Sequence, residues 1–86
     1  MISVVIPSIY EKSLFKTLNS IYKSSLTPKE VIIVLPTQLK DIIDIKKLSK
    51  YENTRIEFSK KKGQVQQRIH GFKIASQPYV LQLDSD

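Results

Sequence analysis

Residues Glu30–Pro36 read EVIIVLP. Val31 to Leu35 are all apolar and mostly β-branched, with no polar residue at alternate positions. A strand with one wet face alternates, whereas an unbroken run is buried on both faces, as in a parallel sheet covered by helices on either side. Pro36 cannot donate to a ladder and closes the run. A second run of the same kind, ISVVI (Ile2–Ile6), is stopped by Pro7. Between the two, Leu14, Phe15, Leu18, Ile21 and Tyr22 fall on one helical stripe, which predicts a helix capped at Ser13 or begun at Glu11 and ended before Thr27-Pro28.

The pattern continues outward from this β-α-β unit. Leu39, Ile42, Ile43 and Leu48 predict a second helix with Thr37 as its cap. TRIEF (Thr54–Phe58) alternates like a strand exposed on one face, and Lys60-Lys61-Lys62-Gly63 reads as a loop. Val65, Ile69 and Phe72, with Ala75 or Ser76, mark the apolar stripe of a third helix ended by Pro78, and YVLQL starts a fourth strand. The order β-α-β-α-β-α-β implies parallel strands joined by right-handed crossovers, the doubly wound α/β class. With strand order 3-2-1-4, the reversal falls between the first and fourth strands, and ligands in this class bind beyond the carboxyl ends at that point. Pro7-Ser8 and Asp84-Ser85-Asp86 are therefore expected to face one crevice.

The totals narrow the function classes. At 86 residues the chain is one small domain that buries only about 60 per cent of the surface exposed on unfolding. With no cysteine there is no disulfide framework and no thiolate zinc site, and a single histidine leaves carboxylates as the metal ligands. No stretch is apolar over the roughly 18 residues that span a bilayer, and Met1 runs into ISVVIP without a secretory pattern, so a cytoplasmic setting is expected. Fourteen basic against eight acidic side chains, net +6, bias partners toward anions.

Asp84 and Asp86, two apart in extended chain, point to one side with backbones about 6 to 7 Å apart. No basic residue flanks them in sequence, so their repulsion is relieved by a hard divalent ion that takes one or two carboxylates and fills its other sites with water and phosphate oxygens. The same three letters also suit a solvated turn. Arg68 suits a ligand contact or a surface ion pair, the lysines at 60–62 a solvated loop or phosphate steering, and Tyr10 stacking on a base or simple packing. His70 reads as a surface helix residue. The walls of a P-loop are missing, since neither Gly63 nor Gly71 fits G-x-x-x-x-G-K-[ST]. A phosphorelay receiver would want acids where Pro7-Ser8 stand.

Taken together, SVVIPS, the helix after it, EVIIV, then GQVQQRIHGFKIAS leading into PYVLQLDSD resemble the nucleotide-binding half of family 2 glycosyltransferases over Ser3 to Asp86. The resemblance implies a Rossmann-like N-terminal part of a GT-A fold and transfer of a sugar from a nucleotide-diphosphate donor, UDP-linked or another, to an acceptor hydroxyl, with inversion. It implies a divalent cofactor, Mn2+ or Mg2+, held by Asp86 with Asp84, and a nucleotide site formed by Pro7, Ser8, Arg68 and Asp84, to which Tyr10 is added by its place in the crevice loop. It implies a glycan or lipid-linked acceptor and no nucleic acid, and it admits peripheral association of the full-length protein with the cytoplasmic face of a membrane. Three departures stand out: the family's Asp-Asp-Gly-Ser after the second strand is Leu35-Pro36-Thr37-Gln38, the asparagine after its arginine is Ile69, and the polar residues after its Pro-Thr are Ile9-Tyr10. Because the family fold continues past the D-x-D, residues 1–86 are expected to form a single partial domain without the acceptor half or the catalytic base, inactive alone and with exposed apolar surface. The alternative is a non-catalytic basic α/β module that binds nucleic acid or another anionic partner.

Overall fold

The computed structural model describes residues 1–25, 27–61 and 63–85. Its four strands, β1 (Ile2–Pro7), β2 (Glu30–Pro36), β3 (Thr54–Ser59) and β4 (Tyr79–Gln82), form one sheet in the order β3-β2-β1-β4, all neighbours parallel. This is the α/β architecture and strand order expected from the sequence. β1 and β2 are central, and Val4 to Ile6 and Val31 to Leu35 are completely buried.

Alternation along these two strands divides the core. Val4, Ile6, Val31, Ile33 and Leu35 meet Leu14, Leu18 and Ile21 of α1 (Ser13–Lys23) and Leu48 of α2 (Ile45–Ser49) on one face. Val5, Ile32 and Val34 on the other meet Ile74 and Ala75 at the end of α3 (Gln64–Ile74). The chain thus crosses from one face to the other after β3, which places β4 beside β1 and creates the reversal.

Two helices differ from expectation. In place of one helix from Leu39 to Leu48 there is a 3-10 turn at Thr37–Leu39 and then the five-residue α2. Thr37 does not cap a helix; its hydroxyl donates to the Ser59 carbonyl at 2.9 Å, tying the ends of β2 and β3. Asp44 is the cap, accepting from the Lys47 N–H at 3.1 Å, so the helix starts only after it.

α3 is rotated relative to its apolar stripe. Val65, Ile69 and Phe72 face outward, 59%, 41% and 43% exposed, while Gln67 and Gly71 face the sheet. Close approach and hydrogen bonding explain the rotation. A Cβ on Gly71 would sit 2.4 Å from Val5 Cγ1 and 3.2 Å from Val34 Cγ2, so only glycine lets the helix lie this close. One turn earlier, the buried Gln67 amide donates to the carbonyl of Ser8 (2.8 Å), just past the end of β1, and to that of Val34 (2.7 Å), which also accepts the Ser8 N–H. β4, read as a buried strand, is an edge strand with Tyr79, Val80 and Leu81 exposed.

The opposite end of the sheet is closed by Glu30. Its Oε2 accepts from the Ser3 hydroxyl (2.5 Å) and from both the N–H and the hydroxyl of Ser76 (2.7 Å each), and Arg55 Nη1 lies 3.9 Å from Oε1. Ser3 Oγ in turn accepts the Gln77 N–H at 3.2 Å, so one carboxylate joins β1, β2 and the α3-to-β4 turn. Burial pushes the Glu30 carboxyl up, but the Ser3 and Ser76 hydrogen bonds and the Arg55 charge together outweigh it and hold its pKa below the ordinary glutamate value.

Because its folded pKa is depressed, the stabilisation from Glu30 is complete above its unfolded pKa of about 4.3 and is lost as pH falls through the lower folded value. Glu30→Ala should cost about 1.5 to 3 kcal/mol at neutral pH, and Glu30→Gln should flatten the acid limb of stability against pH; urea melts at stepped pH measure both. Gly71→Ala should cost about 1 to 3 kcal/mol through overpacking against Val5, while Lys73→Ala on the outer side of the same helix should leave the urea midpoint nearly unchanged.

Candidate functional site

The sequence of β1 ends in Pro7, which cannot extend the ladder, and the chain leaves the sheet in a tight turn. Ser8 N–H still donates to the Val34 carbonyl at 3.0 Å, and Tyr10 then adopts a left-handed backbone, φ 66°. The Ser8 hydroxyl accepts the Tyr10 N–H (3.0 Å) and donates to Glu11 Oε1 (2.8 Å), while Glu11 Oε2 accepts the Ile9 N–H (3.3 Å). This serine-to-glutamate spacing is that of a capping box, used here to shape the turn before α1.

β4 ends opposite. Leu83 N–H donates to the Val5 carbonyl at 3.0 Å, and the buried Ser85 hydroxyl then donates to Glu11 Oε1. Glu11 is therefore shared by the exits of the two strands at which the sheet order reverses. Between them lies a cavity of about 370 Å3, walled by Pro7, Ser8, Ile9 and Glu11 on one side and by Ser85 on the other, with Gly63, Gln64 and Gln67 from the start of α3 above it. Gly63, at φ 119°, turns the chain into α3.

Asp84 stands at the edge of this crevice. Its Oδ1 accepts from Gln64 Nε2 (2.8 Å) and Gln82 Nε2 (2.6 Å), and Arg68 Nη2 lies 4.0 Å away. In space, Arg68 supplies the positive charge that the flanking sequence lacks, so repulsion at Asp84 is partly relieved before any ion binds. Arg68 is only partly committed, since its Nε is buried without a hydrogen-bond partner among the described residues.

The structure thus brings together Pro7, Ser8, Arg68 and Asp84 of the expected site. Tyr10 is turned toward α1 and α2: its ring packs edge-on to Phe15 at 5.9 Å, and its hydroxyl accepts the Asp44 N–H at 3.0 Å. Asp86 and Lys62 lie outside the described residues. Among the described residues no three of His, Cys, Asp and Glu cluster as a ready-made metal site. Asp84 nonetheless fits a hard divalent ion by its chemistry, a half-exposed carboxylate at the crevice edge whose sequence partner is a second aspartate.

Four residues of the crevice escape a reading by motif: Glu11, Gln64, Gln67 and Ser85. Ser8-x-x-Glu11 carries a legible spacing, and Gln67 with Gly71 forms a polar and small stripe at i, i+4 that competes with Val65, Ile69 and Phe72 for the inner face. Nothing in the sequence announces the contact of Ser85 with Glu11.

No curated protein and no solved structure matches the chain. The model of the family described as Glycosyl transferase family 2 does match it, from the second residue of β1 onward over residues 3–86. Together with the parallel 3-2-1-4 sheet, this places the chain in glycosyl transferase family 2.

Proposed function

We propose that the crevice binds the nucleotide-diphosphate part of a sugar donor for transfer to an acceptor hydroxyl. The observation that carries this reading is the meeting of Arg68 and Asp84 beside a cavity at the β1–β4 reversal, a cation for the diphosphate and a carboxylate for a divalent ion at one edge. Pro7, Ser8 and Glu11 take the nucleoside end. Glu11 offers there the carboxylate acceptor that Leu35-Pro36-Thr37-Gln38 does not provide at the tip of β2, and Tyr10 supports that wall from behind through Phe15.

In this reading Arg68 meets the diphosphate as a planar donor, with its unpartnered Nε turned to use. Gln64 holds Asp84, and Asp86 is the direct metal ligand. A bound Mn2+ or Mg2+ would supply charge neutralisation for the departing diphosphate. The acceptor hydroxyl attacks the anomeric carbon from the face opposite the leaving group, giving inversion, and its proton passes to a base outside the residues of this crevice.

Thermal melts with UDP or GDP, each with and without Mn2+, test this proposal. A ligand at about 100 times its Kd stabilises the folded state by about 2.7 kcal/mol, so a metal-dependent upward shift is expected. Asp84→Asn should abolish the metal dependence and Arg68→Ala should weaken the nucleotide response, with little change in the unliganded melt. A shift that survives Asp84→Asn combined with Asp86→Asn, or no shift with either nucleotide, rejects the donor site.

A further inference from the structure

A second concavity lies on the other flank of α3, toward the β3 edge. It has a volume of about 300 Å3, and Lys60, Lys61, Lys73 and His70 surround a floor that includes Phe58 and Ile69. Its charge is of one sign: no carboxylate lines it, and among the described residues none of the three lysines takes part in an ion pair. The neighbouring acid, Glu57, is engaged by Arg55 at 3.0 Å and lies 3.8 Å from His70 Nε2. That histidine nitrogen is buried and has no hydrogen-bond partner among the described residues.

Isolated surface lysines need no ligand, but three lysines lining one concavity bring several ammonium donors within reach of a single anion. An anion with several acceptor oxygens gives these ammonium groups their partners. A carboxylate would satisfy fewer donors than a phosphate, and the apolar floor suits the organic part of an ester. We infer that this groove is a binding site for a phosphate monoester, separate from the donor crevice. The two lie on opposite sides of the first turns of α3, Gln64 and Gln67 facing one and Gln66, His70 and Lys73 the other.

The phosphate can belong to a soluble ester or to a lipid headgroup, and two probes separate these sources. In amide-resolved NMR of the full chain titrated with inorganic phosphate, saturable shifts are expected at Lys60, Lys61, His70 and Lys73. In co-sedimentation, retention by phosphatidic acid vesicles but not by phosphatidylcholine vesicles, without saturation by free phosphate, assigns the site to a headgroup. Combined Lys61→Glu and Lys73→Glu should weaken whichever binding is seen by at least about tenfold, the loss of two charge-assisted contacts. Lys12→Glu with Lys16→Glu, the same charge change on α1 across the sheet, should alter it less than twofold. Asp84→Asn, which disables the donor crevice, should leave it unchanged, so the two sites fail independently. Saturation by neither probe, shifts confined to Ser8, Gln64 and Ser85, or equal weakening by the two charge-reversed pairs overturns the inference.

Discussion

Two carbonyl oxygens, those of Ser8 and Val34, mark where β1 and β2 run out of ladder, and the buried amide of Gln67 satisfies both. Leaving the Ser8 carbonyl without a partner inside the protein would cost about 1 to 3 kcal/mol, and the Val34 carbonyl, already bonded by the Ser8 N–H, gains a second donor, so α3 presents its amide at that height. Gly71 follows one turn later against Val5 and Val34, where a side chain would collide. These two requirements fix the rotation and the depth of the helix together. Once it is set, Gln64 reaches Asp84, Arg68 lies beside the same carboxylate, and Gln67 becomes part of the cavity wall. The crevice at the β1–β4 reversal is thus a consequence of how the sheet closes its own hydrogen bonds.

The rotation also accounts for the outer surface of α3. Val65, Ile69 and Phe72 carry the stronger apolar signal, yet their burial would turn Gln67 and Gly71 away from the sheet. Burying an aliphatic or aromatic side chain is worth about 1.5 to 3 kcal/mol, but none of the three could enter the narrow gap that Gly71 permits. Polar satisfaction and steric fit therefore prevail over hydropathy. Val65, Ile69 and Phe72 are left exposed on α3 as the result.

How much of this was legible depends on range. The continuous runs at Val4–Ile6 and Val31–Leu35 state that both faces are covered, and with the alternating helices they imply a parallel sheet, whereas the 3-2-1-4 order came with the family resemblance and not from the runs. The meeting of Pro7-Ser8 with the end of β4 follows from the same topology. Helix rotation was not legible, because the Gly71–Val5 approach pairs residues far apart in the chain. Nor was the early break of the second helix, where Asp44 wins the capping role from Thr37. The family resemblance supplied Arg68 and Asp84 as site residues, whereas Glu11 emerged only when Ser8 and Ser85 converged on it.

The two ends of the sheet carry carboxylates in opposite situations. At the amino end, Glu30 has three hydrogen-bond donors on one oxygen and Arg55 facing the other, and its pKa is lowered accordingly. Little remains for a ligand to add there, so that carboxylate serves the fold. At the carboxyl end, Glu11 takes hydroxyl and amide donors but no cation among the described residues, and the Arg68 guanidinium approaches Asp84 only to 4.0 Å. Such groups hold interaction free energy in reserve, and a ligand that completes their shells gains it without rearranging the sheet. The same strands that demand saturated bonding at one end can leave it incomplete at the other, because Glu30, Ser3 and Ser76 already secure the β1–β2–β4 frame from below.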